Sequence, residues 1–230
     1  ARNLLRKIVD AEFDISNEAF PFMACGAITV CGGLRARLFR ISFSGELAYE
    51  IAVPTRYGDA MIRALIEAGE EFGGCAYGTE ALGVMRIEKG HATGNELNGT
   101  TTALNLGMGH MVSTQKDSIG SVLSRRDGLT GDDALKLVGF KPCRTSDPVP
   151  AGSHLMTKGS PIDAKHDQGY VTSACYSPTL GHHIAIGFLK AGDQRLGEIV
   201  RLVSPLTNIE HDVEVVSTHF VDPEGNKLRV

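Results

Sequence analysis

Beyond about Gly131 the sequence offers only short strand-like runs: Leu135 to Phe140, His154 to Thr157, Gly169 to Ser177, His183 to Leu189, Gly197 to Leu202 and Val213 to Phe220. Gly or Pro separates nearly all of them, and no three-and-four helical spacing runs through the region. Strands this short must pair laterally to satisfy their backbone groups, and closely spaced strands without intervening helices do so antiparallel, in a small barrel or jelly roll. The boundary of that C-terminal β-barrel is placed near residue 133, dividing the chain into 1–133 and 134–230.

Ahead of the boundary, helix and strand signals alternate, so the fold class is α+β. Leu4, Leu5, Ile8 and Val9 suggest an amphipathic opening helix. Ala24 to Val30 and Leu34 to Phe43 read as strands of a hairpin turned at Gly32-Gly33, and Glu50 to Val53 reads as a further strand. Tyr57, Ala60, Met61, Ala64, Leu65 and Ala68 have the spacing of a helix with one buried stripe, stopped by Gly73-Gly74. A second helix, capped by Thr79, carries Leu82, Met85 and Ile87 and ends near Gly90. Asn95 to Gly109 reads as a long loop or weak strand, and Ser118 to Arg126 as one more short helix.

Charge and composition exclude several partners. A net charge of -4, with 23 Lys and Arg spread thinly along 230 residues, provides no stripe for a phosphate backbone, so nucleic acid is not expected. Apolar stretches such as Ile184 to Leu189 fall far short of the roughly 20 residues that cross a bilayer. With no basic-then-apolar leader, the chain reads as cytoplasmic, without a membrane partner. Cys25, Cys31, Cys75, Cys143 and Cys175 are odd in number and scattered, with no C-x-x-C pair and no nearby His, so they are expected to be reduced, mostly buried thiols and not metal ligands. His182-His183 are adjacent in a strand and would point to opposite faces, which prevents them from chelating one metal. No Gly-rich dinucleotide or phosphate loop opens a helix.

The residues best suited to chemistry lie in FSGELAYE, Phe43 to Glu50. Gly45 permits a tight turn, and Glu50 returns to strand phase, so its carboxylate projects from a fixed element. Such a carboxylate can accept a fork of two N–H donors from a flat heterocycle. A surface hairpin with solvated acids is the competing reading. Arg86 and Glu88 are read as pinning the second helix to neighbouring strands.

Gly45-Glu46-x-x-Tyr49-Glu50, RIEKG at Arg86 to Gly90, Gly94-Asn95-Glu96, KDSIG at Lys116 to Gly120 and SPTLG at Ser177 to Gly181 occur in the order seen in the aminomethyltransferase family, which includes the glycine cleavage T-protein. Within it, FSGELAYE, GTEALGVMRIEKGH and VTSACYSPTLG are most similar to the C-terminal part of sarcosine oxidase alpha subunits. The resemblance implies a partial folate-binding α/β module followed by the barrel, and tetrahydrofolate as the cofactor. It implies that Glu50 contacts the pterin. Phe43 stands where a Tyr is frequent, so packing replaces a hydroxyl contact; Tyr49 accompanies the motif. Leu82 replaces the Arg that holds the folate glutamate tail in the T-protein, and His91 replaces a Tyr, still able to stack or to donate to a carboxylate.

These departures favour the sarcosine oxidase branch over a free-standing aminomethyltransferase, and the lack of a Cys in Lys89 to Glu96 disfavours a non-catalytic folate-binding protein. The family's catalytic Asp lies upstream of the matching segments. The chain is therefore expected to be a portion of a longer subunit, inactive by itself, with no catalytic residue of its own. Flavin and NAD sites would belong to other parts or subunits, and the expected partners are those subunits or another copy of the chain. The implied product is 5,10-methylenetetrahydrofolate, made from the one-carbon unit of oxidised sarcosine.

Overall fold

A computed structural model describes residues 1–113 and 115–230. The chain forms two compact units, one of Ala1–Met85 with Asp222–Val230 and one of Arg86–Val221.

The first unit is built on a three-stranded antiparallel sheet in the order β1 (Cys25–Val30), β2 (Leu34–Phe39), β3 (Glu50–Ala52). The expected hairpin at Gly32-Gly33 forms. Cys31, Gly32 and Gly33 all have positive φ, and the Asp10 carboxylate accepts the Gly32 and Gly33 N–H groups, each at 2.8 Å, which fixes the turn. Alternation then decides the faces: Ile28, Val30, Ala36 and Leu38 are buried, while Ala27, Arg35 and Arg37 are exposed. The buried set packs with Leu5, Ile8, Val9, Ile15 and Met61.

Two elements are shorter than their sequence patterns suggest. Helix α1 covers only Arg2–Leu5, and Val9 instead makes an isolated bridge with Val30. Strand β2 stops at Phe39, not Phe43, and Arg40, next along the chain, is buried. Its buried guanidinium donates to Asn17 Oδ1 at 2.6 Å, the Phe20 carbonyl at 2.8 Å and the Val230 carbonyl at 2.7 Å. A buried charge needs such partners.

Helix α2 (Gly58–Gly69) buries Met61 and packs Leu65 and Ala68 on the sheet core, while Ile62 and Ile66 face outward. Gly73, at φ +65, and the Gly74 N–H donating to the Gly69 carbonyl at 2.9 Å terminate it as expected. Helix α3 (Thr79–Lys89) then carries the chain into the second unit.

That unit contains a closed antiparallel barrel of six strands: β4 (Leu135–Pro142), β5 (His154–Met156), β6 (Asp167–Ser177), β7 (His182–Lys190), β8 (Ile199–Ser204) and β9 (Ile209–Val216). Their order around the barrel is β4-β7-β6-β5-β8-β9. Closure leaves no unpaired edge, which a set of short strands requires. The interior holds Val138, Phe140, Leu155, Val171, Leu189, Val200, Leu202, Val213 and Val215. Burying each such side chain contributes about 1.5–3 kcal/mol against an exposed reference, an upper bound for real denatured chains. The α+β expectation with a C-terminal barrel is met.

Two further expectations fail. Ser118 to Arg126 is not a helix; only a 3-10 turn at Leu123–Arg125 forms, because Gly120 sits inside it at φ +93, outside helical geometry. The cysteines are not mostly buried either: Cys25, Cys31, Cys75 and Cys143 are exposed, and Cys175 is intermediate. Cys25 lies on the outer sheet face and Cys31 in the hairpin turn, positions set by strand register rather than by side-chain type. No helix among the described residues is long and apolar enough to cross a membrane.

Candidate functional site

In the first unit the turn after β2 is closed by the Gly45 N–H donating to Ser42 Oγ at 3.0 Å, with Gly45 at φ +86, a conformation that favours Gly. The turn delivers the chain to β3, whose first residue, Glu50, is registered opposite Phe39. Directly paired residues share a face, so Glu50 stands with Phe39 and Arg37 on the outer side of the sheet, exposed to solvent. The same face carries an open groove of about 420 Å³ lined by Ala27, Arg35, Arg37, Phe39, Ala52 and Val53. Glu50 is thus a solvated acid on a hydrogen-bonded strand, chemically able to accept two parallel N–H donors.

Its neighbours divide the work. Phe43 is 38% exposed, presenting an apolar ring at the turn. Tyr49 packs against the unit's core, and its hydroxyl accepts from Arg2 Nε at 3.0 Å. Tyr49 therefore braces the start of β3 from the inner side. Glu46 pairs with Lys227, Nζ to Oε1 at 3.0 Å, an exposed pair worth little in stability.

His91 belongs to the second unit, in the loop after α3. Gly90 stops the helix at φ +79; a Cβ there would stand 2.5 Å from the Thr218 carbonyl oxygen, so only Gly fits. The adjoining strap is fixed by the Phe220 and Val221 N–H groups, each donating to the Glu88 carbonyl at 2.9 Å. His219 lies on that strap. Burial, then the charges of Lys89 and His91, hold its imidazole below the usual histidine value.

Beneath the loop is a buried polar network that sequence reasoning anticipated only in part. Arg86 pins the helix end to a strand, and its carboxylate partner is Glu96. Arg86 Nη1 lies 3.2 Å from Glu96 Oε2, and Arg86 Nη2 donates to Ser173 Oγ of β6 at 2.7 Å. Ser173 Oγ donates to Glu96 Oε1 at 2.6 Å, and the Thr93 N–H and hydroxyl both reach Glu96 Oε2, at 2.7 and 3.1 Å. Glu88 likewise reaches β6, accepting from Ser177 Oγ at 2.5 Å.

Glu96 is fully buried. Burial alone would raise its pKa, yet the side-chain hydrogen bonds of Ser173 and Thr172 and the Thr93 N–H, with the Arg86 charge, hold it below the usual carboxylate value. Cys175, between the two serines on β6, has its thiol pushed up to about 11 by burial first and the Glu88 charge second. Adjacent His182 and His183 serve packing roles: His182 Nδ1 lies 2.8 Å from the His183 carbonyl, and the His183 ring meets Tyr176 edge-on.

Comparison with known proteins agrees with this anatomy. The family model described as the GCVT N-terminal domain matches residues 1–116, and that of the glycine cleavage T-protein C-terminal barrel domain matches residues 136–222. The sarcosine oxidase subunit alpha of Rhizobium meliloti is 46% identical over 100% of the chain, which covers 23% of that protein. The subunit of the same name from Corynebacterium sp. (strain P-1) is 37% identical over 99% of the chain and 24% of its own length. The chain thus spans about a quarter of the length of these relatives.

The aminomethyltransferase of Halothermothrix orenii is 32% identical over 94% of the chain and 58% of itself. Among solved structures, the glycine cleavage system aminomethyltransferase T from Bartonella henselae superimposes with a TM-score of 0.62 at 22% identity, over 82% of this chain and 50% of that one, a likeness of fold. Matching models on both sides of the chain, a shared fold and the ordered motifs together show that this chain belongs to the glycine cleavage T-protein (aminomethyltransferase) family.

Proposed function

We propose that the chain is the tetrahydrofolate-binding portion of a sarcosine oxidase alpha subunit, an oxidoreductase on CH–NH groups coupled to one-carbon transfer. The observation that carries this reading is the exposed Glu50 carboxylate on β3, in a chain whose whole length aligns with about a quarter of a sarcosine oxidase alpha subunit. Tetrahydrofolate, when bound, would supply the paired nitrogens that take up a unit at the formaldehyde level, giving 5,10-methylenetetrahydrofolate and leaving glycine.

The chain's own residues bind and orient. Glu50 accepts the pterin N3–H and 2-amino group, a charge-assisted fork. Phe43 supplies an apolar surface at the turn, Tyr49 holds β3 in place from behind, and His91 offers a ring to stack on or a donor for a carboxylate. No residue here is assigned the proton transfer, which the reading leaves to another part of the enzyme, as it does flavin and NAD. The partners are other sarcosine oxidase subunits or another copy of the chain, in the cytoplasm. The domain division at 133 is supported by the gap between the two family matches, 116 to 136.

The test is the fate of the carbon. With sarcosine and tetrahydrofolate, the intact enzyme is expected to give mainly 5,10-methylenetetrahydrofolate. Glu50→Ala is expected to divert product to free formaldehyde, lowering capture about tenfold at sub-saturating folate, as loss of a charged hydrogen-bond partner would. An unaltered partition removes Glu50 from the site.

A further inference from the structure

The loop after α3 is held more tightly than a helix stop requires. The His91 N–H donating to the Arg86 carbonyl at 2.8 Å belongs to the helix stop itself, but beyond that stop Arg86 Nη1 donates to the His91 carbonyl at 3.3 Å. Arg86 is itself oriented by Glu96 and by Ser173 of β6. Thr93 closes the loop by giving its N–H and hydroxyl to the same Glu96 oxygen. The chain of contacts runs from a barrel strand, through Ser173, Glu96 and Arg86, to the backbone of His91.

Such a network is a poor way to gain stability alone, since an apolar core of the same volume usually does as well as a buried ion pair. The helix is already stopped by Gly90, whose N–H donates to the Ile87 carbonyl at 3.0 Å. What the network adds is a single backbone conformation at His91, in a corner that also holds Lys89 and His219.

We infer that Arg86, Glu96 and Ser173 are positioning residues that fix His91 for contact with the bound folate, with β6 as their anchor. This rests on the folate reading above and extends it to residues that touch no ligand themselves. Ser173 sets the rotation of the guanidinium, and the guanidinium sets the His91 peptide.

A double-mutant cycle on the intact protein tests it, with folinic acid affinity read by calorimetry and the thermal midpoint read alongside. Ser173→Ala is expected to weaken folinic acid about three- to tenfold, the usual coupling between residues of one network. In a His91→Ala background the same change is expected to alter affinity by less than about twofold, because its target is gone. Thr93→Ala, a milder change at the loop, is expected to follow the same pattern if Ser173→Ala folds poorly.

Equal weakening in both backgrounds assigns the network a general structural role and overturns the inference. So does unchanged affinity in Ser173→Ala and Thr93→Ala, or in His91→Ala itself. The folate reading is judged separately by Glu50→Ala: if that variant keeps full affinity while His91→Ala does not, the Glu50 assignment fails and the positioning of His91 stands.

Discussion

Removing the Glu96 carboxylate is the most demanding test of the buried network. In Glu96→Ala, Arg86 keeps its charge at 7% exposure, with Ser173 Oγ and the His91 carbonyl as its acceptors among the described residues. Arg86 Nη1, Ser173 Oγ, and the Thr93 N–H and hydroxyl all lose an acceptor at once. Stranding one partner of a buried ion pair costs about 3–5 kcal/mol, and the truncation adds a small cavity, so a loss near the upper end is expected.

Urea unfolding with an unchanged slope and a lowered midpoint would measure it. Titration adds a sign. Glu96 has a folded pKa below its ordinary value of 4.5, so the unfolded chain binds the proton first as pH falls. The network's stabilisation is then fully present above the unfolded value and is lost as pH drops through the folded one. The wild type should therefore lose stability below about pH 4.5 more steeply than Glu96→Gln. A loss under about 1 kcal/mol in Glu96→Ala, or identical acid slopes in the two proteins, would refute the assignment.

Two further outcomes follow from local geometry. Gly90→Ala forces a side chain into a left-handed backbone with its Cβ 2.5 Å from the Thr218 carbonyl oxygen, so a destabilisation of about 2 kcal/mol or more is expected in denaturant melts. With its thiol held up at about 11, Cys175 should be alkylated by iodoacetamide at least about a hundredfold more slowly near pH 8 than exposed Cys25, Cys31 or Cys75, as peptide mass mapping over time would show.

Local rules were reliable where local physics decides. The hairpin at Gly32-Gly33 needed only positive-φ residues between alternating strands, and the barrel strands were readable because Gly and Pro punctuate them. Prediction failed where a distant partner or one backbone angle intervenes. Arg40, past the early end of β2, is buried with its guanidinium held by Asn17, Phe20 and Val230, contacts that no window of sequence contains. Gly120 breaks the helix that Ser118 to Arg126 resembled.

The site divides in the same way. FSGELAYE was legible as a turn delivering Glu50 to a strand, which the register opposite Phe39 confirms. The partner of Arg86 was not, since Glu96 reaches it through a loop without helical spacing and the third member, Ser173, comes from the barrel. Gly94-Asn95-Glu96 stood out as a motif, and that was the one signal that could have pointed to it.

The most direct test of the folate claim is calorimetry of folinic acid against the intact protein and its Glu50→Ala variant. Glu50 stands exposed on a fixed strand, so its loss should cost binding about 1–3 kcal/mol while leaving the thermal midpoint nearly unchanged. Equal affinity in the two proteins, or no binding by the wild type, would contradict it.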